Sequence, residues 1–323
     1  MKRPRVCVIG LGGQSAFLSA QHFPTPGETV SCKDLFFELG GKGYNQAVAC
    51  ARMGVDTTFI GAVGRDVYGD ACRSALEAEG ITAVLVPKET PTAFACITTD
   101  ASGENIVQVF PGAARELTPE DLRSPQIMKH LRQCDWLLLQ NELSVPCLME
   151  ACGIGRELGM CIVINPAPAV GIPMEVVCCG DWITPNSGEA RLLAGLASET
   201  KVTPMELAEA LNAQGIRRAV ITLGAEGALI MDGDRLQLIP SYRHGMAVDT
   251  TGAGDTFTGV LTASLATGSD IVSAAGMGAV AAGIGVTRHG AVGSIPTGDE
   301  VRAAVALREK EFVQLRGNAD EAR

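Results

Sequence analysis

The chain has 323 residues, with 36 acidic against 26 basic side chains and a formal net charge of −10. This length accommodates one large α/β domain with an inserted or appended piece. Because the balance is acidic and the basic residues are scattered, the composition argues against nucleic acid or an anionic membrane as the main partner. It favours an enzyme of small molecules.

The first part of the chain predicts a strand followed by a segment without the usual crossover helix. The N-terminal apolar run is short and ends at Gly10, which indicates a first strand rather than a signal peptide. Residues 10–15 superficially resemble a dinucleotide fingerprint, but the prolines within 24–27 remove the helix that such a fold needs next. Residues 14–38 thus lack a crossover helix, and residues 92–110 indicate a hairpin. We expect these two segments to form a small sheet that projects as a lid.

A glycine turn at residues 40–47 leads into a predicted helix. It is not a Walker A loop, because Phe36 and Gly43 stand where that motif needs Gly and Ser or Thr. Lys42 and Asn45, on a backbone that permits close approach, suit recognition of a hydroxyl or neutralisation of a phosphate. Read alone, the segment is also compatible with a structural turn.

Beyond residue 130, apolar strands alternate regularly with helices. Strands are predicted at 135–140, 161–165 and 219–222, and helices at 145–158 and 203–214. Continuous apolar strands separated by helices indicate a parallel sheet that is covered on both faces. In such folds the ligands bind beyond the carboxyl ends of the strands.

Two short segments in this region carry polar groups at strand ends. After the predicted strand 181–183, Asn186 and Glu189 lie three residues apart at a helix start. They can hold a hydrated Mg²⁺ or orient phosphate-bound water, but the same spacing is a capping pattern. The turn 222–227, with two glycines, can admit the phosphates of a nucleotide or simply make a hairpin.

The segment 249–259 combines a glycine-rich turn with a carboxylate. A short strand at 246–248 precedes it and helical spacing follows from 257 to 266. Glycines let the backbone approach a ligand, and the helix N-terminus favours negative charge. Asp255 is placed to receive a proton from an attacking hydroxyl, as phosphoryl transfer to an alcohol needs. Read alone, Asp255 could equally be a helix cap.

The most apolar stretch, 271–286, is rich in Ala and Gly and shorter than the roughly 20 residues of a spanning helix. It predicts a tightly packed helix and no membrane partner. The eleven cysteines show no zinc-ligand spacing, and most, such as Cys7 and Cys161, lie in apolar runs. We interpret them as small core residues of a cytoplasmic protein. The adjacent Cys178 and Cys179 are poor disulfide partners.

Two signatures in register resemble the ribokinase-like (PfkB) carbohydrate kinase family. One is Gly40-Gly41-Lys42-Gly43 with Asn45-Gln46-Ala47, and the other runs from Asp249 through Gly252-Ala253-Gly254-Asp255 to Phe257. Further segments at 23–29, 165–169, 184–186 and 287–291 are similar to the family in order and spacing, so the resemblance covers nearly the whole chain. Two such signatures are highly specific and favour the catalytic interpretation of Asp255 over capping.

The resemblance implies a three-layer α/β/α sandwich with a central, mostly parallel sheet and a small β-lid, as one domain over residues 1–323. It also implies transfer of the γ-phosphoryl group of ATP to a sugar hydroxyl. Asp255 would be the general base, and the anion hole would be Gly252, Ala253 and Gly254. The sugar contacts would be Gly13, Ser15, Gly41, Lys42, Asn45, Glu142 and Asp255. Mg²⁺ and the nucleotide would contact Asn186, Glu189, Thr222, Gly224, Gly227 and Gly254. Members also bind a monovalent cation, here expected to be K⁺, at the positions Asp249, Thr251, Gly285, Arg288, Gly290 and Ser294.

The sequence departs from the family pattern at the sugar clamp. Gly13 and Ser15 occupy the positions of an Asn and an Asp, so a neutral hydroxyl replaces an ionised acceptor. Losing one such bond costs on the order of 1.5–3 kcal/mol, which disfavours ribose. Tyr44, Phe94 and Phe110 add aromatic surface near the expected sugar, either to stack on a ligand or as ordinary packing.

We therefore expect an ATP- and Mg²⁺-dependent kinase that converts D-ribose or a related furanose sugar to the sugar 5-phosphate. A nucleoside kinase, or a kinase of a modified, deoxy or keto sugar, is the alternative. A regulator that binds sugar and nucleotide without turnover is a third interpretation, against which the intact Asp255 argues. The edge strands of the lid allow a homodimer.

Overall fold

A nine-stranded sheet forms the centre of the molecule in a computed structural model that describes residues 3–197 and 200–307. The strands of the described chain are β1 (Arg5–Ile9), β2 (Gly13–Ser19), β3 (Asp34–Gly40), β4 (Asp56–Gly64), β5 (Thr82–Lys88), β6 (Ala93–Thr99), β7 (Asn105–Phe110), β8 (Trp136–Gln140), β9 (Cys161–Asn165), β10 (Trp182–Ile183), β11 (Arg218–Thr222), β12 (Ala228–Asp232) and β13 (Arg235–Ile239). The central sheet has the order β13-β12-β11-β10-β9-β8-β1-β4-β5. Its pairs are parallel except for β11 with β12 and β12 with β13.

Helices cover both faces of this sheet. They are α1 (Lys42–Arg52), α2 (Val67–Ala78), α3 (Pro119–Leu122), α4 (Pro125–Leu131), α5 (Val145–Glu157), α6 (Met174–Val177), α7 (Ser187–Leu193), α8 (Pro204–Ala213), α9 (Ala253–Ala266) and α10 (Ile271–Gly285), and residues 298–307 are also helical. Along β8, Leu137 and Leu139 belong to the core on the side of α4, α5, α7 and α8. Leu138 packs on the other side, with α1, α2, α9 and α10. This alternation builds the predicted three-layer α/β/α sandwich with a mostly parallel sheet.

A second sheet of four strands, in the order β3-β2-β6-β7, is formed by the two segments assigned to the lid. β2 pairs antiparallel with β3 and parallel with β6, and β6 pairs antiparallel with β7. The turn between β6 and β7 is held by Asp100, whose carboxylate accepts the N–H groups of Ser102 and Glu104. Because β2 follows β1 after three residues, the small sheet begins directly above the carboxyl ends of the central strands.

Helix α9 starts at Ala253, so the glycine turn lies at a helix N-terminus as predicted. Two other local expectations were wrong. Residues 246–248 are not a strand, because the N–H groups of Val248 and Asp249 donate to the Val286 carbonyl at the end of α10. Cys161 is exposed, as the first residue of β9, rather than a core residue. Within residues 3–197 and 200–307, no helix has both the length and the apolar character needed to cross a membrane.

Candidate active site

The N-terminus of α9 presents backbone donors. Gly252 is its N-cap and has φ 72°, a left-handed conformation that favours glycine. Among the described residues, no acceptor takes the N–H of Gly252, Gly254 or Asp255, whereas the Ala253 N–H donates to the Thr250 carbonyl over 3.2 Å. Of the predicted anion hole, Gly252 and Gly254 are therefore free to donate and Ala253 is partly engaged. These donors and the positive end of the helix favour an anion.

Asp255 lies in the first turn of α9 and is only 7% exposed. Each of its carboxylate oxygens accepts one amide N–H. Asn45 Nδ2 donates to Oδ2 over 2.9 Å, and Gln46 Nε2 donates to Oδ1 over 2.9 Å. A carboxylate oxygen offers two lone pairs, so each oxygen retains one that can take a proton from an approaching hydroxyl.

Lys42 and Glu142 lie beside this carboxylate. The charges of Asp255, Glu142 and Glu189 together raise the pKa of Lys42, while burial opposes them. Glu142 Oε2 accepts the backbone N–H of Lys42 over 2.9 Å, yet burial raises the pKa of Glu142 to about 7. Three carboxylates around one ammonium therefore concentrate charge where α1 meets the start of α9, an arrangement typical of functional sites.

Two cavities meet at this point. The smaller one, of about 190 Å³, is lined by Lys42, Asn165, Ala167, Thr184, Asn186, Glu189, Thr222, Gly252, Gly254 and Asp255. The larger one, of about 730 Å³, includes Asn186, Thr222, Gly224, Gly227, Ala253 and Gly254 in its lining. Three residues, Asn186, Thr222 and Gly254, line both. The larger volume suits a nucleotide-sized ligand, and the shared residues would place the end of that ligand beside Asp255.

Asn186 and Glu189 form a capping box at the start of α7. Asn186 Oδ1 accepts the Glu189 N–H over 2.9 Å, and Glu189 Oε2 accepts the Asn186 N–H over 2.8 Å. The capping interpretation is thus correct, and both residues also line the smaller cavity. Burial raises the pKa of Glu189. In the part of the chain that the structure describes, no group of three or more His, Cys, Asp or Glu could hold a metal ion.

The residues predicted to bind a monovalent cation lie in the segment before α9, at the end of α10 and in the loop after α10. Asp249 Oδ1 accepts the Thr251 N–H over 2.9 Å and Oδ2 accepts the Gly290 N–H over 3.0 Å. Gly285 and Ser294 also lie close, because a Cβ on Gly285 would be 3.6 Å from the Ser294 carbonyl oxygen. The N–H of Arg288 donates to the Gly285 carbonyl over 2.9 Å. Asp249 thus joins the segment that carries Thr251 to the loop that carries Gly290, while Gly285 and Ser294 lie close to each other.

On the sugar side, the structure brings Ser15 and Asn45 together. A Cβ on Gly40 would be 3.5 Å from Asn45 Oδ1 and 3.6 Å from Ser15 Oγ. Asn45 Oδ1 is buried and has no hydrogen-bond partner among the residues described. Gly41, the N-cap of α1, has φ 111°. Gly13 is different, because a Cβ there would lie 2.2 Å from the Ala93 carbonyl oxygen, so β6 fills the space of a side chain.

The aromatic residues expected near the sugar lie elsewhere. Tyr44 is 2% exposed and packs against Phe59 in the core, because it is on the inner face of α1. Phe94 pairs with Gln14, and Phe110 pairs with Phe94. Side chains alternate along a strand, so both phenylalanines are on the face opposite to that of Ser15. Ordinary packing, one of the two interpretations that the sequence left open, therefore accounts for Tyr44, and neither phenylalanine shares the face of Ser15.

Sequence reasoning missed two groups at the site. Glu38 of β3, the cross-strand partner of Ser15, accepts the N–H groups of Ala291 over 2.7 Å and Gly293 over 2.6 Å. It thereby fastens the small sheet to the loop that carries Gly290. The second group is a buried amide network, in which Gln46 contacts the Asp255 carboxylate and Gln140 and Asn165 contact Gln46. A polar residue that ends an apolar strand, as Gln140 and Asn165 do, was the available signal.

Comparison with known proteins agrees with this geometry. Residues 4–298 match the family described as pfkB family carbohydrate kinase. The chain belongs to this family. Ribokinase of Staphylococcus aureus (strain COL) is 34% identical to this kinase over 301 residues, which cover 92% of this chain and 98% of that protein. Deoxyribokinase of Salmonella typhi is 30% identical over 307 residues, covering 94% and 99%.

A solved structure supports the same assignment. Arabidopsis thaliana ribokinase, complexed with ribose and ATP, is 26% identical to this pfkB family kinase and matches it with a TM-score of 0.83. The match covers 94% of this chain and 99% of that chain. The family resemblance and the sandwich fold predicted from the sequence are therefore confirmed, and the protein is a carbohydrate kinase.

Proposed function

We propose that this kinase transfers the γ-phosphoryl group of ATP to a hydroxyl of a furanose sugar, with Asp255 as general base. The observation that carries the proposal is the position of Asp255. Its carboxylate lines the smaller cavity at the unpaired end of α9 and is held by Asn45, whose other amide atom is an unpaired acceptor. A substrate hydroxyl and a phosphoryl group can both reach this point.

In the proposed reaction, the sugar hydroxyl gives its proton to a free lone pair of Asp255 as its oxygen bonds to the γ-phosphorus. The bond from that phosphorus to the bridging oxygen breaks, and ADP leaves with the electron pair. The N–H groups of Gly252 and Gly254 and the ammonium of Lys42 face the charge that spreads over the phosphoryl oxygens. Positioning and neutralisation of charge thus supply most of the catalysis.

The nucleotide is proposed to occupy the larger cavity, with Thr222, Gly224, Gly227 and Gly254 along its phosphates. Mg²⁺ would be held by Asn186 and Glu189 through water and would neutralise phosphate charge. The capping box uses Oε2 of Glu189, which leaves Oε1 for that role. K⁺ would be held by the cluster around Asp249, which precedes Gly252 of the anion hole by three residues.

The sugar is proposed to be D-ribose or a related furanose, phosphorylated at the 5-position. The relatives named above include both a ribokinase and a deoxyribokinase. Because Gly13 leaves no room for a side chain and Ser15 offers a neutral hydroxyl, the clamp on neighbouring sugar hydroxyls is weaker than in a site with an ionised acceptor. A deoxy sugar or a nucleoside is therefore the second candidate substrate.

We also propose that residues 1–323 act as one kinase unit in the cytoplasm and that the small sheet is a lid that can pair two copies. Support for pairing comes from exposed apolar residues on its edge strands, among them Phe36, Val107 and Val109. Such edges favour strand or face contacts with a second copy.

An ATP-consumption assay against pentoses, deoxypentoses, hexoses and nucleosides tests the proposal. We expect turnover with a furanose sugar. Because the clamp on neighbouring hydroxyls is weak, the KM for a deoxy or modified sugar should be lower than the KM for ribose. If ribose is clearly the best substrate, the argument from Ser15 is wrong. A protein inert towards all of these compounds, yet able to bind ATP, would instead support the regulator.

A further inference from the structure

Gln46 occupies the centre of a buried amide network behind the Asp255 carboxylate. It is 0% exposed and lies on α1. Its Nε2 donates to Asp255 Oδ1 over 2.9 Å and to Asn165 Oδ1 over 3.0 Å. Its Oε1 accepts from Gln140 Nε2 over 2.7 Å. The amide of Gln46 therefore has three side-chain partners and no contact with solvent.

The partners of Gln46 leave its amide only one orientation. A flipped amide would place Oε1 against the oxygens of Asp255 and Asn165, and its NH₂ group against the donor of Gln140. Asn165 is itself fixed, because its Nδ2 donates to the Thr184 carbonyl over 2.6 Å. Since Gln140 and Asn165 end β8 and β9 and are paired across them, the orientation is set by two neighbouring strands of the central sheet.

Asn45 and Gln46 both donate to Asp255, but they differ in whether their other hydrogen-bonding atoms are paired. Asn45 Oδ1 is buried without a partner among the described residues and lies near Ser15. Asn45 can therefore accept a hydrogen bond from a bound substrate. Gln46 has both N–H groups engaged and its oxygen occupied. Gln46 thus supports the carboxylate, while Asn45 also borders the sugar side.

We infer that Gln46 is a positioning residue, which fixes the orientation of the Asp255 carboxylate for proton transfer. The inference rests on the proposed role of Asp255 as the base. With Gln46 in place, Oδ1 is held from behind and the carboxylate plane cannot rotate, so its free lone pairs point to the same place in each catalytic cycle. Misplacing a reacting group by about 1 Å can cost about 100-fold in rate.

The Gln46→Met variant tests this by removing both donors at similar side-chain length. We expect kcat to fall about 10- to 100-fold, as for the loss of one hydrogen bond to a charged group. The KM values for sugar and for ATP should change less than about threefold, because Gln46 touches neither proposed binding surface. A merely structural role would alter both KM values and the melting temperature together.

Two further variants keep the test independent of folding. Gln140→Met leaves Gln46 in place but removes the donor that orients it, so kcat should fall by a smaller factor of about 3–10. Gln46→Glu places a carboxyl against Asp255, and two such groups cannot both ionise. The introduced carboxyl donates to Asp255 only when protonated, so the ratio of its kcat to that of wild type should rise as the pH falls through neutrality.

Thr262→Val is the matched control. Thr262 is 0% exposed on the same helix as Asp255, and its hydroxyl donates only to the Thr258 carbonyl, over 2.8 Å. Its removal should leave kcat within about twofold of wild type. A loss of kcat equal to that of Gln46→Met would mean that α9 is simply sensitive to buried polar changes, and would overturn the inference.

The outcome separates this inference from the proposed function. If Asp255→Asn abolishes turnover while Gln46→Met, folded by its melting curve, keeps kcat within about twofold of wild type, the inference fails and the base stands. If Asp255→Asn remains active, the proposed base itself fails. If Gln46→Met does not fold, an unchanged kcat in Gln140→Met and a pH-independent ratio in Gln46→Glu overturn the inference.

Discussion

Replacing Glu142 with Gln should change how the stability of this kinase depends on pH. Burial raises the pKa of Glu142 to about 7, with the charge of Lys42 opposing and that of Asp255 reinforcing the shift. The folded protein therefore binds this proton more tightly than the unfolded chain does. The stabilisation that comes from this bound proton is complete below about pH 4.5 and is lost as the pH rises through about 7.

The size of the effect follows from the two pKa values. A difference between about 4.5 and about 7 corresponds to about 3 kcal/mol in the free energy of unfolding. Gln cannot ionise, and its oxygen can still accept the backbone N–H of Lys42. Above neutral pH, the Glu142→Gln variant should therefore be more stable than wild type by about 3 kcal/mol, and at acid pH the two should converge.

Urea denaturation of both proteins at about pH 5 and about pH 8.5 measures this difference. Glu209→Gln, a change at an exposed carboxylate of α8, is the control and should show no pH-dependent difference. A Glu142→Gln difference of the same size at both pH values would refute the reasoning. It would mean that Glu142 is as ionisable in the folded protein as in the unfolded chain.

Three other predictions concern the sugar side and the cation cluster. Ser15→Asp should lower the KM for ribose about tenfold by restoring an ionised acceptor. The control is Ser19→Asp, at the far end of β2. An equal effect of both substitutions on the KM would contradict the argument about the sugar clamp. Glu38→Gln should speed amide hydrogen exchange of Ala291 and Gly293 about tenfold, because an amide oxygen cannot replace two carboxylate acceptors. Unchanged exchange would show that Glu38 does not fasten the small sheet. Exchanging K⁺ for tetramethylammonium should lower kcat, and an unaltered rate would count against the cation site.

The fold was predictable where the sequence pattern is strong. Continuous apolar runs bounded by polar residues predicted β9 at the bounds observed, Cys161–Asn165, and α5 to within one residue. The strand predicted at residues 246–248 is absent, because a short apolar run does not reveal its backbone partners. Here the partner is the end of α10. Periodicity also could not show that Tyr44 faces the core.

The site was predictable only as far as local motifs reach. Glycine turns at helix starts identified Lys42, Asn45 and Asp255, and the structure brings these residues together. Contacts between distant segments carry no comparable signal. Glu38 bonds to Ala291, 253 positions away, and nothing in the alternation of β3 distinguishes it. Likewise, the lack of room at Gly13 depends on the register of β2 with β6.

The most direct test of the account is Asp255→Asn, which keeps the shape of the side chain but removes the proton acceptor. Single-turnover phosphorylation of the best sugar substrate should fall by about 10²–10⁴, while ATP binding measured by calorimetry should stay within about threefold of wild type. That combination is what a general base at the head of α9 predicts. A variant that phosphorylates the sugar at a rate within about tenfold of wild type would contradict the account.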